Sequence, residues 1–201
     1  MGSIAPTSDY SRSQRIAVIP EFSRSSTIAP AHGCVMFYDF FDSPIGPLVV
    51  AGDDDGLTFL HLPRNGKPGH VAPEWQRSPS RLREARAQLA AYFAGKLLTF
   101  DLPFAPSGTE FQQRVWDELL QIPYGDTISY IELARRLGKP SAMRAVGAAN
   151  GANPLAIFVP CHRVIGANGT LVGYGGGLPA KRWLLDHERA HAPAPLLELK
   201  P

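Results

Sequence analysis

The chain has 201 residues, a formal net charge of +2 and a composition that is 44% hydrophobic and 19% charged, which excludes an intrinsically disordered protein. No uninterrupted apolar run approaches the ~18 residues of a membrane-spanning helix. Its two cysteines, Cys34 and Cys161, lie far apart; they are too few for a disulfide framework or a zinc set, and a reducing compartment suits them.

Residues 1–33 are rich in Ser, Pro and Ala, lack periodicity and read as a flexible tail. Gly2 raises myristoylation, but Pro6 stands where Ser or Thr is required. The apolar stretch 16–19 is too short for a signal peptide. Arg12, Arg15 and Arg24 suit a transit peptide, whereas Asp9 and Glu21 oppose it.

Residues 34–104 predict a small α+β unit. Stretches 36–41, 48–52 and 57–62 read as the strands of a meander. Ser43-Pro44-Ile45-Gly46 and Asp53-Asp54-Asp55-Gly56 are its turns. Three aspartates in a row suggest a cation, but consecutive side chains in an extended segment point apart, and a polar turn is the simpler account. Residues 63–78 read as a polar loop. Ser78 or Ser80 then opens a helix to Ala94, with Leu82, Ala85, Leu89, Tyr92 and Phe93 at helical spacing and Gly95 as the stop. Residues 97–104 fit a last strand. Nothing in this half suggests chemistry.

Residues 105–190 predict short helices. Thr109 caps a helix over 110–121 with Phe111, Val115, Leu119 and Leu120 inward. Ser129 and Glu132 form a capping box for a helix over 130–137, which Gly138 ends. Pro140-Ser141 starts another over 142–150, and the pair has the form of a helix-turn-helix. The helix over 142–150 is full of small residues, which allow close approach to another surface, either a neighbouring helix or a nucleic-acid groove. From Leu133 to Leu185 there is no Asp or Glu but there are seven basic residues: Arg135, Arg136, Lys139, Arg144, Arg163, Lys181 and Arg182. This is either a solvated basic face or a field for a phosphate backbone.

Residues 157–165 place Cys161, His162 and Arg163 inside an apolar run. Pro160 lacks a backbone donor, so a strand is expected to end at Val159 and a turn to present Cys161. A buried cysteine is most often a small hydrophobe. A cysteine beside a histidine is also the arrangement of an activated nucleophile, in which the imidazole takes the thiol proton directly or through a water. Gly166-Ala167-Asn168-Gly169 reads as a hairpin turn. Tyr174-Gly175-Gly176-Gly177 is glycine-rich, but no phosphate-loop pattern follows it. A closing helix spans 179–187. Asn153 reads as a pre-proline turn residue and Glu188, at a helix end, as solvent-exposed. Residues 191–201 form a Pro-rich tail.

Pro160-Cys161-His162-Arg163-Val164 resembles the active-site signature of the O6-alkylguanine-DNA alkyltransferases, also called methylated-DNA–protein-cysteine methyltransferases. The resemblance is strong over 104–189 and looser over 34–103. It implies an α+β fold: a small N-terminal α/β domain over 34–104 supporting a mainly helical C-terminal domain over 105–190 with a winged-helix-like helix-turn-helix. It implies a monomeric repair protein that binds double-stranded DNA through the minor groove. There it flips out O6-alkylguanine, with O4-alkylthymine as a second candidate, and moves the alkyl group irreversibly to Cys161 in a single turnover.

The resemblance also assigns roles. His162 acts on Cys161 through a water, Glu188 orients His162, and Asn153 orders the site. Tyr130 pushes the nucleotide out and protonates the leaving guanine. Arg144 is the finger that fills the stack, with Ala145, Gly147, Ala148 and Arg163 also at the DNA. Tyr174, Val164, Gly175 and Gly176 wall the base pocket. No metal or organic cofactor and no membrane is implied. The location is cytoplasmic, at the nucleoid, in a bacterium and nuclear in a eukaryote. Some relatives hold a structural zinc in the N-terminal part, for which His32 and Cys34 are too few ligands. Ala156 and Val172 depart from the proline and glycine that some relatives carry.

Two other readings remain. A cysteine hydrolase needs an oxyanion hole and a histidine from elsewhere in the chain, and the adjacency of Cys161 and His162 opposes it. A non-catalytic sensor of alkylated bases would recruit other repair factors, and the presence of Cys161 opposes that.

Overall fold

The structure, a computed structural model, describes residues 35–193. The readings placed on Gly2, residues 16–19, His32 and Cys34 lie outside the described residues.

Three strands form the expected meander: β1 Phe37–Ser43, β2 Gly46–Gly52 and β3 Leu57–His61. The first hairpin closes on Pro44-Ile45, where the Ser43 hydroxyl donates to the Gly46 carbonyl at 2.6 Å. In the second, the Asp53 N–H donates to the Gly56 carbonyl at 3.0 Å. The Asp53 carboxylate accepts from the Asp55 N–H at 3.0 Å, and Asp54 pairs with Arg81. The acidic trio is thus spent on a turn. Gly56 has φ +147°, and a Cβ there would lie 2.7 Å from the Pro103 carbonyl oxygen, so only glycine fits.

The sheet order is β3-β2-β1-β4. Strand β4, Gln76–Arg77, adds to β1 in parallel from within the stretch read as a loop. It is two exposed residues long and has no apolar alternation to signal it. One sheet face meets α1, Arg83–Phe93, where Phe41 stacks on Phe93 at 5.9 Å. Asp39 is buried there and pairs with Arg77 at 3.0 Å and Arg86 at 2.9 Å. On the other face Trp75 stacks on Phe59.

Two further expectations in this half fail. Helix α1 is capped at Leu82 without a side-chain bond, not at Ser78 or Ser80. Ser78 is held at the sheet instead, its N–H donating to the Tyr38 carbonyl at 2.9 Å. Residues 97–104 form no strand; only Phe104 bridges to Leu57. Pro103 can accept but not donate, so a ladder cannot run through it; its carbonyl takes the Leu57 N–H at 2.8 Å.

The C-terminal half opens with α2, Glu110–Leu120, under the capping box of Thr109 and Gln112. Trp116 is its buried anchor and donates through Nε1 to the Ala149 carbonyl at 2.9 Å. Next come β5, Ile128–Ser129, and α3, Tyr130–Arg136, capped by the Ser129 side chain; the expected box is only half formed, because the Glu132 carboxylate pairs with Arg136. Gly138, at φ +68°, turns the chain into a 3-10 turn, Pro140–Ala142, and then α4, Met143–Gly151. A second 3-10 turn, Cys161–Arg163, leads to β6, Val164–Ile165, which pairs in parallel with β5. Helix α5 spans Gly177–His191. It starts earlier than expected because Pro179 sits in the first turn, where no donor is needed.

The apolar run before Cys161 is not a strand. The Val159 N–H donates back to the Leu155 carbonyl at 2.8 Å, and Ile157 has φ +74°. A β-branched residue at positive φ marks a strained, tightly held turn. Buried apolar residues say only that the segment is inside, not which way it winds. One apolar cluster runs through both halves, including Leu60, Phe104, Trp116, Leu155 and Phe158. Across the junction Phe100 meets Phe158 edge to face at 4.9 Å, and the Leu60 N–H donates to the Pro154 carbonyl at 2.8 Å. The segment that carries Cys161 is therefore braced against the edge of the sheet.

Candidate active site

Cys161 opens the 3-10 turn and is 7% exposed. Asn153 braces the segment from both ends. Its Oδ1 accepts from the Leu155 N–H at 3.0 Å and its Nδ2 donates to the Val159 carbonyl at 2.8 Å. Burial raises the thiol pKa; the Asn153 amide and the charge of Lys181 work against that rise. The site therefore holds a thiol that gives up its proton only with help.

His162 is fully buried. Its Nε2 lies 2.7 Å from Glu188 Oε1. An ionised carboxylate only accepts, so Nε2 carries the ring proton and Nδ1 is the basic nitrogen. Burial lowers the His162 pKa and the Glu188 charge opposes this, which keeps the imidazole neutral and able to accept a proton.

Glu188 is not the exposed helix-end residue that its position suggested. It is fully buried on α5. Its Oε1 accepts from His162 Nε2, from the Tyr92 hydroxyl at 2.8 Å and from Arg163 NH2 at 3.0 Å. Its Oε2 accepts from Arg163 Nε at 2.8 Å and the Gly125 N–H at 3.3 Å. Burial would raise its pKa; the neighbouring His162 and Arg163 outweigh that and hold it well below the usual carboxylate range. Arg163 is the permanent cation of the group.

Arg163 was expected at the DNA, and the structure corrects this. It is 7% exposed, tied to Glu188 by two bonds and to the Ile122 carbonyl by a third at 2.6 Å. Lys181, counted in the same basic field, is also buried; its Nζ donates to the carbonyls of Val164 at 2.6 Å and Val172 at 2.8 Å. A buried cation must be paired or hydrogen-bonded, and these two are committed inside. The field facing solvent is carried by Arg135, Arg136, Lys139, Arg144 and Arg182, with Arg136 paired to Glu132 at 3.3 Å. Val164 is corrected too: its side chain is fully buried in the core and its carbonyl is taken by Lys181, so it presents no side chain to a pocket.

On α4, Arg144, Ala145 and Ala148 are exposed and Gly147 is half-buried. They form one outward face, while Val146, Ala149 and Asn150 point in. Tyr130, at the start of α3, is half-buried between this face and the thiol. Asn150 Nδ2 donates to its hydroxyl at 3.5 Å. Burial and then the Cys161 charge raise the Tyr130 pKa, so it keeps its proton at neutral pH. Tyr174 meets His162 edge to face at 6.3 Å, followed by exposed Gly175 and half-buried Gly176. The site thus gathers Cys161, His162, Glu188, Asn153, Tyr130 and Tyr174 around one thiol, with the α4 face beside it.

Sequence reasoning missed Tyr92 and Gly125, and it misread Arg163 and Lys181. One signal for Tyr92 was available. A tyrosine on the apolar stripe of an amphipathic helix buries its ring and must find a partner for its hydroxyl. Among the described residues no group of three or more His, Cys, Asp or Glu could hold a metal ion.

Comparison with known proteins matches two family descriptions. Residues 36–106 match "6-O-methylguanine DNA methyltransferase, ribonuclease-like domain" and residues 110–190 match "6-O-methylguanine DNA methyltransferase, DNA binding domain". The chain is 52% identical over 153 residues to the methylated-DNA–protein-cysteine methyltransferase of Methanosarcina acetivorans, covering 76% of this chain and 98% of the relative. It is 53% identical over 163 residues to that of Mycobacterium tuberculosis, covering 81% and 98%. The crystal structure of the O6-methylguanine methyltransferase of M. tuberculosis superposes with a TM-score of 0.72 at 52% identity, covering 80% of this chain and 96% of that one. A structure of the M. tuberculosis protein in complex with DNA gives the same TM-score and identity, covering 79% and 96%.

Proposed function

The chain belongs to the 6-O-methylguanine DNA methyltransferase family; its activity is DNA repair by alkyl transfer from methylated DNA to a protein cysteine, and we propose that Cys161 is that cysteine. The observation that carries this reading is the buried chain of contacts from Glu188 to His162 beside the Cys161 thiol. Nε2 of His162 is engaged with Glu188, so Nδ1 takes the thiol proton, through a water. The thiolate then attacks the alkyl carbon on guanine O6. The S–C bond forms, the C–O6 bond breaks, and its electron pair leaves with guanine. Tyr130, which holds its proton at neutral pH, donates it to the departing base. The thioether has no hydrolytic exit, so each molecule reacts once.

The O6 substituent lies within the base stack, so the nucleotide must leave the duplex to reach a thiol that is 7% exposed. The face of Arg144, Ala145, Gly147 and Ala148 is the entry point. A minor groove about 6 Å wide is narrower than an α-helix of about 10–12 Å, so a helix enters it only with small side chains and a widened groove. Three of these four residues are Ala or Gly, and Arg144 is long enough to occupy the space the nucleotide leaves. Gly147 supports this reading. A Cβ there would meet only Tyr130 ring carbons at 3.8 Å, an ordinary contact, so the fold itself has no need of glycine at that position. Tyr174, Gly175 and Gly176 line the pocket for the extruded base, and Asn153 keeps the thiol in place. The protein acts as a monomer where the DNA lies, in the cytoplasm of a bacterium or the nucleus of a eukaryote. No helix among the described residues is long and apolar enough to cross a membrane.

The test is a single-turnover reaction with a duplex carrying one O6-methylguanine, followed by peptide mapping. One methyl group per molecule on Cys161, and none on Cys161→Ser, is expected. Tight lesion binding without transfer would replace this reading by that of a sensor.

A further inference from the structure

The N-terminal domain, in which the sequence suggests no chemistry, sends one side chain into the site. Tyr92, near the end of α1, is fully buried. Its hydroxyl donates at 2.8 Å to Oε1 of Glu188, the oxygen that faces His162 Nε2. The partners Gly125, His162 and Arg163 all come from the C-terminal domain; Tyr92 reaches Glu188 across the junction. Its ring is packed by Phe100 at 5.3 Å, Tyr124 at 6.0 Å and His187 at 5.6 Å. A phenylalanine would satisfy that packing, so the hydroxyl is what needs an explanation.

Oε1 divides its negative charge among three donors. Arg163 also holds the other oxygen, which fixes the plane of the carboxylate. The Tyr92 O–H draws on the oxygen that pulls at the His162 proton. Without it, Oε1 would be a stronger acceptor, and the protonated imidazole would be favoured. A protonated His162 cannot take the thiol proton from Cys161.

We propose that Tyr92 is a positioning residue for alkyl transfer: it holds Glu188 in line with His162 and tempers its pull on the imidazole, so the site is complete only when the N-terminal domain is docked. The proposal rests on the Cys161–His162–Glu188 reading above. The phenol is a dependable donor, because burial and then the Glu188 charge push its pKa far up. The other groups facing Glu188 are Tyr124 and Gly125 before β5, and His162 and Arg163 on the 3-10 turn. Burial pushes Tyr124 up to about 12, and Arg163 is a permanent cation. Beyond this group, the Lys181 charge acts to lower the pKa of both Cys161 and His162. Of the groups bonded to Glu188, His162 is therefore the one that changes charge near neutral pH.

The test compares the wild-type chain with Tyr92→Phe. Single-turnover transfer to Cys161 from free O6-benzylguanine and from methylated duplex is followed from about pH 5 to 9, the range over which a histidine base titrates. Tyr124→Phe serves as the control, because its buried hydroxyl has no hydrogen-bond partner. The acid limb of Tyr92→Phe is expected to move up by about one pH unit, a roughly ten-fold loss of rate below the limb with little loss above it. The Tyr124→Phe limb stays in place. The His162 ring titration, followed by nitrogen NMR, should show the same upward move without relying on catalysis. An unmoved limb in Tyr92→Phe, or a loss equal at every pH and accompanied by a lower Tm, would overturn the role of Tyr92 while leaving Cys161 as the acceptor. A wild type that places no alkyl group on Cys161 would overturn the underlying reading and this proposal with it.

Discussion

At the scale of single residues the most instructive is Arg163. In sequence it is one of several basic residues in a stretch without acids, and a DNA contact is the natural reading. In the fold it neutralises Glu188 from a position 7% exposed. Removing one partner of a buried ion pair leaves the other charge stranded. Arg163→Met is therefore expected to cost roughly 3–5 kcal/mol of stability, read from urea unfolding. The salt dependence of DNA binding should not change, because no phosphate contact is lost; a shallower salt slope would return Arg163 to the DNA surface. Cys161 and His162 were legible because their chemistry is written in adjacent letters. Glu188 lies 25 residues from Arg163, and Tyr92 lies 96 from Glu188. Such partners are joined by tertiary packing: the apolar stripe around Tyr92 says that its hydroxyl needs a partner, but not which one.

At the scale of elements, signals carried by neighbouring residues survived folding. Thr109 and Ser129 cap α2 and α3 as their side chains dictate, and Gly138 adopts the left-handed turn that ends α3. The failures come from pairings that the sequence does not announce. Ser78 was drawn into the sheet by Tyr38, Pro103 was set against Leu57, and the run before Cys161 was folded into a turn braced by Asn153 and the edge of β3. Helix α4 carries its own prediction. Glycine inside a helix costs about 0.5–1 kcal/mol relative to alanine, and the protein leaves room for a methyl group at Gly147. Gly147→Ala should therefore raise the stability of the free protein by about that amount, read from thermal unfolding. It should also weaken binding to duplex DNA while leaving reaction with free O6-benzylguanine almost intact. Equal effects on both substrates would remove α4 from the DNA.

At the scale of the whole molecule, the division into two domains was legible from the switch between strand and helix patterns. How firmly the halves are joined was not. They share one apolar cluster, a backbone bond from Leu60 to Pro154, an edge-to-face pair at Phe100 and Phe158 and the buried Tyr92–Glu188 bond. Chains joined in this way unfold together. Far-ultraviolet circular dichroism, weighted toward the helices, and loss of amide exchange protection in β1–β3, in the N-terminal domain, should give the same denaturation midpoint; two separate midpoints would refute the shared core.

The groups that converge on Glu188 also carry an order in time. Synthesis proceeds from the N-terminus, so Tyr92, Gly125, Cys161, His162 and Arg163 are all joined to the chain before Glu188. Until α5 is made and docked, His162 has no carboxylate to hold its ring and Arg163 has no anion to draw it inside. In the proposed mechanism Cys161 therefore gains its base only when α5 docks, after Cys161 itself has been joined to the chain. If each molecule reacts once, as proposed, that order withholds the reaction from a chain whose α5 has not yet docked.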